Sequence, residues 1–185
     1  IYLQDFPWLN NSEDMLIIKD GKGETIDSIN YSLAWYRDNN KAQGGWTLEI
    51  IDPDNICSGH ENWSASESNT GGTPGFTNSV MASNPDLAGP QLLSAIPIDS
   101  REVHLRFNEK LQAHLPASLD ITFQPDMPVS SVSLSNAAFT ELSVLLSEEL
   151  NTGITYSVSV ANLADCAGNV IQAPEAEVRF GLPEQ

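Results

Sequence analysis

Apolar side chains recur at every second position in several short segments of this chain. A period of two predicts a β-strand with one buried face and one face toward water. The clearest stripes lie at residues 103–107, 142–146, 154–160 and 178–180. Shorter stripes contain Leu16 and Ile18, Ile26, Trp46 with Leu48 and Ile50, Ile121 with Phe123, and Val132 with Leu134. Helical periodicity is poor, and only residues 109–115 fit one or two helical turns.

Turn-forming residues separate these stripes. The run Asp20-Gly21-Lys22-Gly23 lies between two of them and predicts a β-hairpin. Glycine-containing runs at 151–153 and 165–169 predict two further tight connections. Many short strands joined by such turns are typical of a β-sandwich, so the chain is predicted to be all-β.

The composition changes between residues 79 and 89. Ser83-Asn84-Pro85-Asp86 and Gly89-Pro90 have the character of a linker, and we place a domain boundary there. The predicted domains are residues 1–83 and 84–185. A chain of 185 residues is long enough for two small domains, and its hydrophobic content of 41% is enough to fill their cores.

The chain is strongly acidic, with 25 acidic residues against 8 basic ones and a net charge of −17. Nucleic acids and anionic membranes are therefore unfavourable partners, because both are bound through clustered lysines and arginines. No segment approaches the roughly 20 apolar residues of a membrane-spanning helix. The acids are spread along the chain, so a solvated surface explains most of them and cation binding is the alternative.

Two cysteines, Cys57 and Cys166, stand far apart in the sequence. They lack the close pairs that zinc sites use. A disulfide between them would require an oxidising compartment and Cα atoms within bridging range, which the spacing alone does not provide. The expectation is therefore two unpaired, buried thiols.

Residues 1 to about 80 resemble the C-terminal part of a bacterial lamin-tail domain. The residues that carry this resemblance are 44–49 (GGWTLE), Asp52-Pro53, Cys57, Asn62-Trp63, 71–75 (GGTPG) and Asn78-Ser79-Val80. The resemblance implies an immunoglobulin-like sandwich. The segments with which that family's domain begins have no counterpart here, so the first domain is expected to be incomplete at its N-terminal side.

Residues from about 86 to 182 resemble a bacterial immunoglobulin-like domain of the surface-layer and adhesin type. The matching segments are 89–94 (GPQLLS), 103–111 with its FNEKL element, 150–160 and 163–169 (LADCAGN). The resemblance implies a seven-stranded sandwich. The two domains together resemble exported multidomain proteins of Bacteroidetes-type bacteria, in which lamin-tail domains accompany hydrolases.

No catalytic constellation stands out in the sequence. The three histidines, His60, His104 and His114, fall in a polar loop, on the outer face of a strand and in a connection. No G-x-S-x-G element is present, and no pair among the many acids is distinguished by its position. We therefore predict that the chain is not an enzyme and has no catalytic residues.

The sequence offers candidates for two kinds of binding site, the first of which is for calcium. Oxygen-bearing side chains gather at Asp52, Asp54 and Asn55, and again at Asp165 and Asn169, and calcium prefers such ligands. Turn capping is the simpler explanation, so no cofactor is expected unless calcium binds.

The tryptophans offer the second weak site. Trp63, placed in a loop by the pattern, is a candidate platform for stacking a sugar, whereas Trp46 on its alternating strand is expected to pack in the core.

The sequence favours a structural, spacer or binding module of a secreted or cell-surface bacterial protein. Its partners would be proteins or glycans at the surface and neighbouring domains of the same polypeptide. One alternative is a carbohydrate-binding or adhesin module. Another is an accessory region of an exported hydrolase whose catalytic domain lies outside this segment.

Overall fold

A computed structural model describes residues 8–23 and 25–183 of the chain. The chain forms two compact units. Unit 1 comprises Ile1–Asp54 and Gly59–Asn84, and unit 2 comprises Asn55–Ser58 and Pro85–Gln185. The secondary structure is almost entirely β, which confirms the predicted fold class.

Unit 1 contains two small antiparallel sheets. Strands β1 (Glu13–Lys19) and β2 (Thr25–Ser32) form a hairpin, which confirms the turn predicted from the intervening glycines. Strands β3 (Leu48–Ile50) and β4 (Trp63–Ala65) form the second sheet. Three short 3₁₀ helices lie at Leu33–Tyr36, Lys41–Gln43 and His60–Asn62. No helix in the described residues is long and apolar enough to cross a membrane.

The alternation in unit 1 does not mark its buried positions as predicted. Ile18 and Ile26 are exposed in the hairpin. In β3 the buried residue is Glu49, 4% exposed, while the apolar neighbours Leu48 and Ile50 are only half-buried. Unit 1 therefore has a polar group at a strand position that faces inward.

The described residues of unit 2 form seven strands in two antiparallel sheets. The strands are β5 (Leu92–Pro97), β6 (Glu102–Phe107), β7 (Asp120–Gln124), β8 (Val129–Leu134), β9 (Glu141–Leu146), β10 (Thr155–Ala161) and β11 (Glu177–Gly181). One sheet has the order β5-β6-β9-β8 and the other the order β11-β10-β7. This is a two-sheet sandwich, in which the inner faces bury alternate residues of each strand.

Much of the core of unit 2 consists of residues that the sequence pattern selects. Positions 103, 105 and 107 of β6, positions 142, 144 and 146 of β9, and positions 156, 158 and 160 of β10 are all buried. Phe123 and Phe180 contact each other edge to face in the same core. Ile154 departs from the pattern, since it precedes β10 and is exposed. Residues 109–115 form no helix, contrary to the expectation that they fit a helical turn.

The prediction of unpaired cysteines is wrong. Cys57 and Cys166 form a disulfide, with Cα atoms 5.5 Å apart across a sequence separation of 109 residues. The short segment Asn55–Ser58 belongs to unit 2 although the residues on both sides of it belong to unit 1. The position of this segment places Cys57 beside Cys166, and the spacing of the two cysteines in the sequence does not predict it.

Candidate functional site

Three acidic residues from separate segments converge at one place in unit 2. Asp86 precedes β5, Glu109 follows β6 and Asp165 follows β10. One carboxylate oxygen of each residue lies within 4.8 Å of the others. We refer to Asp86, Glu109 and Asp165 as the acid cluster. Glu109 and Asp165 are only 8% and 1% exposed, whereas Asp86 is partly exposed.

Asp165 is held by the tight turn that the sequence predicts. Its Oδ1 accepts hydrogen bonds from the backbone N–H groups of Gly168, at 2.6 Å, and Asn169, at 2.8 Å. Its Oδ2 accepts a third from Asn169 Nδ2, at 2.9 Å. Gly168 has a φ of +96°, a conformation that glycine adopts without strain. The carboxylate is therefore fixed in position by its own loop.

Backbone bonds hold the segment of Glu109 against this turn. The N–H of Cys166 donates to the Lys110 carbonyl at 3.1 Å, and the N–H of Gln112 donates to the Ala164 carbonyl at 3.1 Å. Because these bonds flank Asp165, the residue that precedes Lys110 is brought beside the turn. The disulfide lies at the same turn, through Cys166.

The segment of Asp86 also lies against this turn. Gly89 lies so close to Val170 that a Cβ at this position would overlap the Val170 carbonyl oxygen. Asn169 Nδ2 also donates to the Asp86 carbonyl at 3.3 Å. The Asp86 side chain accepts a hydrogen bond at Oδ1 from the N–H of Ala88, whereas its Oδ2 is buried and has no hydrogen-bond partner among the described residues.

The sequence predicted Asp165 and Asn169 as candidate ligands in this region, but not Asp86 and Glu109. Asp165 and Asn169 were visible because they occupy one short turn. Asp86 and Glu109 were not, because they are separated from that turn by 79 and 56 residues. Local signals mark both segments, since Gly89-Pro90 follows Asp86 and Glu109 lies in the FNEKL element, but neither signal says which turn its segment approaches.

The other predicted calcium ligands act as turn residues. Asp52 Oδ1 accepts a hydrogen bond from the N–H of Asp54 at 3.0 Å, and its Oδ2 accepts one from the N–H of Asn84 at 2.7 Å. Asn55 accepts a bond from the N–H of Ser58 and donates to its hydroxyl. Among the described residues, Asp52 and Asp54 do not join a third acid, histidine or cysteine in a compact group.

Trp35, Trp46 and Trp63 of unit 1 are half-buried, whereas Trp8 is fully exposed. Trp63 begins strand β4 rather than lying in a loop, and its ring centre is 6.1 Å from that of Trp35. Trp46 lies outside the strands, and Lys41 Nζ stands 4.7 Å from its ring centre. Trp63 and Trp35 therefore form a tilted aromatic pair that keeps part of its surface in water.

His104 joins two carboxylates on the outer face of the four-stranded sheet of unit 2. Its Nδ1 is 2.9 Å from Glu141 Oε1 and its Nε2 is 2.9 Å from Glu102 Oε1. Hydrogen bonds from Ser143 and His104 lower the pKa of Glu102. His60 and His114 are exposed elsewhere.

Glu141 extends this hydrogen-bond network to Arg106 and Ser135. Burial raises the pKa of its carboxyl, but hydrogen bonds from Arg106, at 2.7 Å, and Ser135, at 2.8 Å, outweigh burial and leave the pKa lowered. This network crosses strands β6 and β9, so its contribution is to hold the sheet together.

Comparison with known proteins gives a limited likeness. The chain is similar to two solved structures, "Structure of surface layer protein SbsC, domains 1-6" and "Crystal structure of the S-layer protein rSbsC(31-844)". Each match has 25% sequence identity and a TM-score of 0.43, and covers 53% of this chain and 14% of the other. The chain thus spans about one seventh of the length of the proteins it matches.

A TM-score of this size is too low to argue function from those proteins. No protein-family model and no curated protein matches the chain. The lamin-tail and immunoglobulin-like assignments therefore stay resemblances read from the sequence.

Proposed function

We propose that this chain is a non-catalytic structural module of an exported protein. The disulfide between Cys57 and Cys166 is the observation that carries the proposal. Disulfides persist in secreted and cell-surface proteins and are rare in reducing compartments. Here the disulfide fastens the distant segment Asn55–Ser58 to a seven-stranded sandwich, as expected of a domain built for durability outside the cell.

Glu49 and His104 are of residue types that often carry chemistry, and both are engaged in structural bonds. Glu49 accepts hydrogen bonds from Thr73 and Ser79, and His104 bridges two strands through Glu102 and Glu141. Catalysis would need such groups to face a substrate cleft with free hydrogen-bonding capacity. Their present partners favour a role in architecture.

The disulfide also gives the module a mechanical property. The 109-residue separation means that a force applied to the two chain ends bypasses everything between the cysteines, provided the bond is intact. Fully extended residues span about 3.3–3.6 Å each, so the bypassed segment corresponds to about 36–39 nm of chain. When a load unfolds the module, the oxidised protein should therefore reach a smaller end-to-end extension than the reduced protein.

Single-molecule pulling on the 185-residue chain tests this proposal. Oxidised protein should lengthen by about 36–39 nm less on full unfolding than protein held in reductant. The double variant Cys57→Ser, Cys166→Ser is the matched control, and it should give the long extension under both conditions. Equal extensions for oxidised and reduced protein would contradict the proposal, as would turnover of an ester, glycoside or nucleic acid that one substitution abolishes.

A carbohydrate-binding role is the second candidate, and the half-buried pair of Trp35 and Trp63 favours it. Aromatic rings with one accessible face stack on sugars. Binding to a glycan array that Trp63→Ala removes, while Trp46→Ala does not, would support this role over a purely structural one.

A further inference from the structure

We infer that the acid cluster of Asp86, Glu109 and Asp165 binds a divalent cation, with calcium as the preferred ion. The first ground is geometric, because one oxygen of each residue lies within 4.8 Å of the others. Calcium binds oxygen ligands at about 2.3–2.6 Å, so two ligands on opposite sides of the ion stand about 4.8 Å apart. The three oxygens are thus close enough to share one calcium ion.

The second ground is the buried Oδ2 of Asp86. This carboxylate oxygen has no hydrogen-bond partner, although the Oδ1 of the same group accepts the N–H of Ala88. Buried acceptors are satisfied in the great majority of cases, and leaving a charged one unsatisfied is costly. A cation bound by the Asp86 carboxylate through Oδ2 would satisfy this oxygen.

The competing explanation is that these acids only cap turns. It accounts for Asp165, whose two oxygens accept hydrogen bonds from Gly168 and Asn169. It does not account for Asp86, whose Oδ2 caps nothing. The bonds to Asp165 also leave lone pairs available, since each carboxylate oxygen can accept about two interactions.

The donor set selects the class of ion. The three side chains offer only carboxylate oxygens, which suit calcium and other hard cations, whereas zinc and copper sites in proteins favour nitrogen and sulfur. The one cysteine of the adjacent turn, Cys166, is held in the disulfide and offers no thiolate. Magnesium prefers a smaller octahedral shell with several waters, so we expect it to bind more weakly than calcium.

The bound ion would join three separate parts of unit 2. Asp86 lies on the segment that enters the sandwich, Glu109 follows β6, and Asp165 lies on the turn that carries the disulfide. Calcium at the millimolar concentrations outside cells would therefore close the same end of unit 2 that the disulfide fastens. Sites in extracellular modules have dissociation constants on the order of 10⁻⁴–10⁻³ M.

The test is titration of the metal-free 185-residue protein with calcium chloride and, separately, with magnesium chloride. Isothermal titration calorimetry should give one calcium site with a dissociation constant of about 1 mM or below. The melting temperature of unit 2 by circular dichroism should rise by about 5–10 °C in saturating calcium relative to a chelator. The inference would be overturned if calcium at about 10 mM, tenfold above a dissociation constant of about 1 mM, gave neither a heat of binding nor a rise in melting temperature.

The variant Asp86→Asn gives a sharper test, because its expected effect changes sign with calcium. In chelator the variant should melt at or above the temperature of the unchanged protein, since it removes one of three neighbouring negative charges. In calcium it should melt below the unchanged protein, and its calcium affinity should fall at least about tenfold because a charged ligand is lost.

The matched control is Asp126→Asn, which removes an exposed carboxylate from unit 2 outside the cluster. It should retain the full calcium response. An equal loss of affinity in Asp126→Asn would mean diffuse attraction to the acidic surface and would overturn the site. A gain in stability for Asp86→Asn in both chelator and calcium would also overturn it, because calcium would then give the unchanged protein no stabilisation that the variant lacks.

Discussion

Replacing Glu49 with glutamine should destabilise unit 1 and remove much of its sensitivity to acid. Glu49 is 4% exposed and accepts hydrogen bonds from Thr73 Oγ1 at 2.6 Å, Ser79 N at 2.7 Å and Ser79 Oγ at 2.7 Å. Burial raises the pKa of its carboxyl, but these hydrogen bonds, together with one from Ser66, outweigh burial and lower the pKa from 4.5 to about 2.

The direction of the pH dependence follows from this lowered pKa. The unfolded chain takes up a proton at Glu49 near pH 4.5, whereas the folded chain resists protonation until about pH 2. The carboxylate therefore contributes its full stabilisation above pH 4.5, and that contribution is lost as the pH falls from 4.5 to about 2.

The contribution of the Glu49 carboxylate to the unfolding free energy has an upper limit, which exposure to water reduces. Lowering a pKa from 4.5 to about 2 corresponds to at most about 3 kcal/mol of unfolding free energy. Ser79 is exposed, so water reaches this network and we expect about 2 kcal/mol. Glutamine still accepts from Ser79 through its oxygen and donates to the Thr73 hydroxyl, so Glu49→Gln loses the charge without leaving every partner unsatisfied.

The assay is urea unfolding followed by tryptophan fluorescence between pH 2 and pH 7. All four tryptophans lie in unit 1, so their emission reports on this unit. Glu49→Gln should lower its unfolding free energy by about 2 kcal/mol at pH 7, with the difference shrinking toward pH 2. The control Glu13→Gln, at an exposed position of β1, should behave as the unchanged protein. A Glu49→Gln variant as stable as the unchanged protein at pH 7 would refute the reasoning.

Three further substitutions address the remaining contacts. The double variant Cys57→Ser, Cys166→Ser should lose about 3–5 kcal/mol, because it frees a loop of 109 residues in the unfolded chain, and urea unfolding by circular dichroism measures this. Asn62→Ala should cost unit 1 about 2 kcal/mol in the fluorescence assay, since the amide is fully buried and bonds the preceding loop in both directions. Gly89→Ala should lower the melting temperature of unit 2, whereas Gly21→Ala, with open space around it, should not; equal effects would contradict the close approach at Gly89.

The sequence pattern located the strands of unit 2 better than those of unit 1. In β6, β9 and β10 each alternate apolar residue is buried, because the opposite sheet covers the face of the strand on which these residues lie. In unit 1 the two sheets have two strands each, and Ile18 and Ile26 remain exposed. A period of two shows which residues share a face of a strand, but only the surrounding sheets decide whether that face is covered.

Contacts between distant segments explain what the sequence did not show. The turn at Asp165 was readable because its partners lie within four residues. The disulfide and the acid cluster depend on the segments at Cys57, Asp86 and Glu109 reaching that turn across 109, 79 and 56 residues. Local patterns carry no information on such approaches, since any of the 25 acids could have met any other.

The interiors of the two units differ in the kind of contact that they contain. Unit 2 has a continuous apolar core, so its polar groups of interest, the acid cluster and the disulfide, stand at the end of the sandwich. Unit 1 instead places Glu49 and Asn62 at buried positions, where each bonds residues from distant parts of the unit. Polar bonds of this kind are directional, and a hydrophobic contact is not. Loss of one such side chain should therefore loosen several loops of unit 1 at once, whereas loss of one core methyl group in unit 2 leaves the remaining contacts in place.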